Sequence, residues 1–236
     1  MDNKRILRGI SSMATKSVLS QLTQSYHHLT GVTVEIESVG GVDAAKRIGQ
    51  GENFDMVLLA SDAIARLRDA DRVIATSTHD WVQSDVAMAI PAGAATLSIH
   101  NEETLKAAVL SSPSISYSTG PSGVYLEKLF ERWGVLEAIK ARLVVPPPGI
   151  AVGSLVAKGE VALGFQQMSE LISVSGIQIL GKLPSDVAFI TTFSAAIPCG
   201  LLGQDERIQD VQKFFQYLSS APTADVKRQQ GMSPLA

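Results

Sequence analysis

The apolar positions of this chain alternate between two periods. Residues 13–30 place Val18, Leu19, Leu22, Tyr26 and Leu29 along one helical face, and Gly31 stops that helix. The next stretch, "VTVEIES", alternates apolar and polar residues as a half-buried strand does. "GGVDAAKRIGQG" reads as a glycine turn, a short helix and a second turn, and "FDMVLLAS" as a buried strand. Ser61 is placed to N-cap a helix over 62–70. "RILRGIS" at the start and "SDVAMAIPAG" further on read as strands.

A second run of the same kind follows. Asn101 is placed to cap a helix over 102–110, and "SISYS" is a strand. Residues 122–133 gather Leu126, Leu129, Phe130 and Trp133 on one helical face, with Gly134 just beyond the end. "ARLVVPPPG" reads as a strand closed by a proline run, "VGSLVAKGE" as a short helix and "VALGFQQ" as a strand. "DVAFITTFSAAIP" is extended, and Ile208, Val211, Phe215 and Leu218 mark a C-terminal helix. Helices and strands in alternation predict an α/β fold with largely parallel sheets. Stretches 84–90 and 188–197 are candidate crossings between two lobes. The expected division is 1–84 with 195–236 as a discontinuous first lobe, and 85–194 as the second.

Four strand-to-helix junctions concentrate small and polar residues: "ISSMAT", "SVGGVDAA", "YSTGPSGVY" and "GFQQMSE". In open α/β sheets ligands collect beyond the carboxyl ends of the strands. Helix N-termini there supply unpaired N–H donors and partial positive charge. The candidate ligand contacts are therefore Ser11, Ser12 and Met13; Gly40 and Gly41; Ser118, Thr119, Gly120, Ser122, Gly123 and Val124; and Gln166 and Gln167. Each junction also has a plainer reading. Ser122 alone would serve as an N-cap, the Gly40–Gly41 pair as a turn, and the glutamines as an exposed strand end. Four junctions of one kind, two per expected lobe, favour a shared anion site. Lys16, Lys46 and Arg47 read as solvated charges.

Composition narrows the partner. The 236 residues are 45% hydrophobic and 18% charged, with a net charge of −3, so no broad basic surface for nucleic acid is expected. No apolar run is long enough to insert in a bilayer. Cys199 is the single cysteine, which excludes an intramolecular disulfide, and it reads as a small buried hydrophobe. His27, His28, His79 and His100 lack metal-ligand spacing, and no P-loop, GxSxG or dinucleotide fingerprint is present. Neither a metal nor a cofactor is expected. "MDNKRILRGI" has no apolar core or cleavage site. The expected location is the periplasm if a signal has been removed, and the cytoplasm otherwise.

The order "SSMATKSVL", "ESVGGVDAAKRIGQGENFDMVLLASD", "STGPSGVYLEKLFERWG", "GSLVAKGEVALGFQQMSEL" and "LPSDVAFITTFSAAI" resembles the molybdate-binding-protein-like family of solute-binding proteins. The resemblance implies the two-lobed type II periplasmic binding protein fold, a ligand clamped between the lobes by hinge closure, and an ABC permease as partner if the protein is exported. The departures change the expected ligand. Family members that bind molybdate present serines at the second junction, where this chain has Gly40, Gly41 and Val42. They carry a tyrosine where this chain aligns Gln167. A compact oxyanion held with too few donors keeps buried acceptors unpaired, which is costly. A larger organic anion, a di- or tricarboxylate, is the expected ligand.

The stretches "GFQQMSEL" and "YS…SGVY" resemble the family's aconitate isomerase branch. That resemblance implies an enzyme alternative, in which a proton and a double bond move within an unsaturated tricarboxylate. Its catalytic base is not identified by the sequence; Asp43, Glu170 and Lys16 are candidates. A molybdate-like oxyanion binder is the third reading.

Overall fold

The computed structural model describes residues 6–146 and 149–235. In chain order the elements are β1 (Ile6–Ser12), α1 (Lys16–Thr30), β2 (Thr33–Val39), α2 (Gly41–Gly49), β3 (Met56–Ala60), α3 (Ser61–Asp69) and β4 (His79–Pro91). There follow α4 (Glu102–Ser111), β5 (Ile115–Tyr117), α5 (Pro121–Arg132), α6 (Leu136–Ile139), α7 (Val152–Ala157), β6 (Leu163–Gln167) and α8 (Met168–Leu171). The chain ends with β7 (Ile177–Lys182), β8 (Ile190–Ala196), α9 (Asp205–Leu218), α10 (Ala224–Gln229) and β9 (Met232–Pro234). Its contacts cluster into two units, residues 1–83 with 192–236 and residues 84–191.

The first unit holds a sheet in the order β2-β1-β3-β8. β1 runs parallel to β2 and β3, and β8 closes the set antiparallel to β3. Every residue of β3 is buried, as a strand covered on both faces requires. Its period of two divides the core. Met56 and Leu58 pack with Val18, Leu19 and Leu22 of α1 and with Phe214, Phe215 and Leu218 of α9. Val57 and Leu59 pack with Ala44 and Ile48 of α2 and with Ile64 and Leu67 of α3. The start of β1 is tied to α9 by Asp55. That carboxylate is 5% exposed, accepts the Arg8 N–H at 2.6 Å and is gripped at both oxygens by the Arg207 guanidinium.

The second unit holds β5-β6-β4 with β7 added to β4. β5 is parallel to β6, while β6 and β7 are both antiparallel to β4. Met88, Ile90, Leu163 and Phe165 face α4 and α5, whereas Ala87 and Ala89 face α7. Gly164 allows α7 to lie close: a Cβ there would come within 2.5 Å of Val156 Cγ2 and 2.7 Å of Val152 Cγ1.

Several expected elements appear where the pattern put them. Gly31 ends α1 with φ +75°, and Asn101 caps α4 through a capping box with Thr104. Others differ. β4 begins at His79, earlier than its apolar stretch indicated. "ARLVV" forms no strand: a 3₁₀ turn covers Lys140–Arg142, and only Leu143 bridges to Ile115. Of the proline run after it, Pro147 and Pro148 lie outside the described residues, as does Arg5 of "RILRGIS". Ser61 is the first residue of α3, not its N-cap; Ala60 holds that place and no side chain caps the helix.

Asp55→Ala leaves the Arg8 N–H and one face of the Arg207 guanidinium without their acceptor. The expected loss is about 1–3 kcal/mol in urea unfolding. An unchanged denaturation midpoint would show that this junction contributes nothing.

Candidate functional site

In the first unit, β1 and β2 end side by side, with Ser11 opposite Ser38 and Ser12 opposite Val39. Their two serines behave differently. Ser11 is fully buried and its Oγ lies 2.9 Å from Ser38 Oγ, so it is engaged within the sheet. Ser12 is 8% exposed, and its buried Oγ has no hydrogen-bond partner among the described residues. Met13 opens the 3₁₀ turn that leads into α1. Gly41 adjoins Ser12: a Cβ on Gly41 would lie 3.6 Å from Ser12 Cβ. α2 begins with Gly40 as N-cap and has no side-chain cap hydrogen bond, while Asp43 sets a carboxylate in its first turn, with Oδ2 3.3 Å from where a Gly40 Cβ would lie. The contrast with α4, closed by Asn101 and Thr104, is direct.

Ser61, which opens α3 directly after β3, is read from the sequence as a helix cap and not as a candidate ligand contact. Its Oγ lies 2.7 Å from Ser194 Oγ and 3.0 Å from the Thr192 carbonyl oxygen, and Ser194 also hydrogen-bonds Asp80. These partners are over a hundred residues away in sequence for the two β8 residues, so no local signal marked them. The basic residues near this face are occupied or exposed. Arg47 is paired with Glu37 and Glu52, each at 2.6 Å, while Lys16 and Lys46 lie in the open.

In the second unit, α5 also starts from a glycine. Gly120 is its N-cap, Pro121 its first residue, and no side chain caps it. Ser122, the N-cap candidate, is instead inside the first turn. It is buried, with its Oγ 2.9 Å from Ser118 Oγ. Gly123 cannot be replaced without movement, because a Cβ there would sit 1.7 Å from the Ser118 carbonyl oxygen. Thr119 and Val124 are exposed at the same turn.

Gln166 and Gln167 close β6 with their side chains on different partners. Gln166 Oε1 accepts the Gly153 N–H at 2.8 Å, and its Nε2 donates to Glu170 Oε1 at 2.8 Å. Gln167 Nε2 donates to Thr191 Oγ1 at 2.7 Å, and its buried Oε1 is unpaired. Burial pushes the Glu170 carboxyl up to about 7, partly opposed by the Gln166 hydrogen bond. Among the described residues no group of three or more His, Cys, Asp or Glu is placed to hold a metal ion.

Known proteins place this arrangement in context. The profile of a family described as bacterial extracellular solute-binding protein matches residues 7–233. The chain is similar to a Pseudomonas sp. protein named aconitate isomerase, with 32% identity over 234 residues, 96% of this chain and 87% of that protein. Its fold is similar to the Azotobacter vinelandii periplasmic molybdate-binding protein, with a TM-score of 0.77, 17% identity and coverage of 98% of this chain and 99% of the other. It is also similar to the sulfate-binding protein SubI of Mycobacterium tuberculosis, with a TM-score of 0.76, 13% identity and coverage of 98% and 87%. The fold is the type II periplasmic binding fold.

Ser12→Ala removes a buried hydroxyl that has no partner in the free protein. The melting temperature of the free protein should hold or rise, while ligand affinity falls by about 0.5–1.5 kcal/mol. A lower melting temperature with unchanged affinity would make Ser12 structural. Glu170 gives a pH signature. Its carboxyl ionises at about 4.5 in the unfolded chain and at about 7 in the fold, so the fold holds the extra proton in between. Stability should therefore fall as pH rises from about 4.5 to about 7 and level off above, and Glu170→Gln should flatten that slope. Parallel curves for the two proteins would contradict the assignment.

Proposed function

Given that this chain belongs to the bacterial extracellular solute-binding protein family, we propose that it clamps a small organic anion, a di- or tricarboxylate, using one strand-to-helix face from each unit. The observation that carries this reading is the pair of glycine-started helices. α2 and α5 each open without a capping side chain, and the buried Ser12 Oγ waits beside α2 without a partner. Carboxylate oxygens accept from such N–H and hydroxyl donors, and the helix dipoles favour their charge.

Gln167 suits the same ligand. The Thr191 hydroxyl donates as readily as it accepts, so a half-turn of the amide keeps that bond and aims the NH₂ group at a carboxylate. Molybdate fits less well. Ser11 is committed to Ser38, and Gly40–Gly41 bring no hydroxyl, so a compact tetrahedral oxyanion would find few side-chain donors. Glycines there also make room for a longer molecule. Under this reading the protein works outside the cytoplasm, delivering its ligand to an ABC permease. Among the described residues no helix is long and apolar enough to cross a membrane.

A second reading, isomerisation of an unsaturated tricarboxylate, is favoured by the likeness to the Pseudomonas aconitate isomerase across 96% of this chain. The two readings share a ligand class and differ in whether it leaves changed.

Thermal unfolding with citrate, trans-aconitate, tricarballylate and molybdate tests the binding claim. A tricarboxylate at a hundred times its Kd should add about 2.7 kcal/mol of stability. A shift with molybdate and none with any carboxylate would sink it. Following the vinyl proton of trans-aconitate by NMR then separates the readings: conversion supports the enzyme, and binding without conversion supports the carrier.

A further inference from the structure

We propose that Glu170 is the proton-transfer group of this site, taking a proton from one carbon of a bound unsaturated tricarboxylate and returning it to another. The inference rests on the isomerase reading above and gives it the base that the sequence did not identify.

The placement comes first. α8 follows β6 without a loop, and Glu170 is its third residue, so its carboxyl belongs to the same junction as Gln167. Ligands in open α/β sheets gather at that end of the strands. The carboxyl is also held in one orientation. Gln166 Nε2 donates to its Oε1 at 2.8 Å, and the other end of that amide is fixed by the Gly153 N–H, also at 2.8 Å. Gly153 lets the amide approach: a Cβ there would lie 3.5 Å from Gln166 Oε1. Among the described residues, Oε2 of Glu170 has no hydrogen-bond partner, which leaves it as the reacting oxygen.

The electrostatic surroundings agree. Neither α7 ("VGSLVA") nor β6 ("LGFQQ") carries a charged side chain. Lys182 of β7 and Asp85 of β4 pair with each other at 2.6 Å. Among the described residues no cation offsets the burial, so the carboxyl exchanges its proton near neutral pH, where a general base and acid is most effective.

Other titratable groups are less suited. Asp43 and Lys16 are exposed. Asp80 accepts from Ser194, and His79 Nε2 is hydrogen-bonded to Ser219 Oγ. Lys227 is sealed against the Trp81 carbonyl oxygen.

The step balances without a co-reactant. The Glu170 carboxylate takes a proton from the methylene carbon next to the double bond. That C–H pair becomes the new C=C, and the old C=C pair moves to the far carbon as the charge spreads into its carboxylate. Protonated Glu170 then returns the proton to that far carbon. One bond to hydrogen breaks and one forms, and the double bond has moved by one position.

The test uses the full chain with trans-aconitate, following turnover by NMR and binding by calorimetry. Wild type should turn over, with kcat rising through an acid limb near pH 7. E170Q should lose about 100-fold or more in kcat and keep its Kd. Turnover in wild type and undiminished turnover in E170Q would overturn the role of Glu170 while keeping the isomerase reading. Binding without turnover in wild type would overturn both and leave the carrier. If E170Q does not fold, the wild-type profile decides: an acid limb near 7 supports Glu170, and a flat profile overturns it.

Discussion

The first N–H groups of a helix need acceptors, and glycine supplies none from its side chain. Among the described helices only α4 has a side-chain cap, and α2 and α5 are the two whose N-cap is glycine. α4 meets that need internally with Asn101 and Thr104. α2 and α5 start from Gly40 and Gly120, which bring no side-chain acceptor; in α5 Pro121 has no N–H and the Gly123 N–H donates to the Gly120 carbonyl, so the Ser122 N–H is the one left over in that turn among the described residues. Glycine also does positive work at these starts. Gly41 brings the α2 backbone beside Ser12, and Gly123 lets the first turn of α5 close on the Ser118 carbonyl. The same small residues that open the donors make the turns possible.

The packing of each unit sets where these turns lie. In the first unit β3 sends alternate residues to opposite faces, so α1 and α9 cover one side and α2 and α3 the other. Asp55 ties β1 to α9 below the face where Ser11 and Ser12 emerge. In the second unit Gly164 lets α7 settle onto β6, which places the Gly153 N–H on Gln166. A side chain held at both ends, as Gln166 is, has little conformational freedom left to lose.

Much of this was legible in the sequence because its causes are local. Helical spacing, the Gly31 stop and the Asn101 cap each depend on residues within a turn of one another. The small-residue junctions were visible for the same reason. What escaped depends on residues distant in the chain. Nothing near Ser61 announces Ser194, and nothing near Ser11 announces Ser38, yet those bonds decide which hydroxyls stay free. Ser122 read as either a cap or a ligand contact, because a serine beside a helix start can serve as both. Pro121 instead opens the helix one residue earlier and turns Ser122 inward. "ARLVV" has strand composition, but only Leu143 makes a bridge there. Glu170 stood out in the sequence as a candidate, but its burial and the Gln166 amide that holds it follow from how β6, α7 and α8 pack.

Under the proposed function, the glycine-started helices and the Ser12 hydroxyl hold an organic carboxylate. A crystal structure with trans-aconitate bound tests it most directly. Carboxylate oxygens are expected within about 2.7–3.2 Å of Ser12 Oγ, of the first backbone N–H groups of α2 and of the Ser122 N–H. Ligand density that leaves Ser12 Oγ and both helix starts without contact would contradict it.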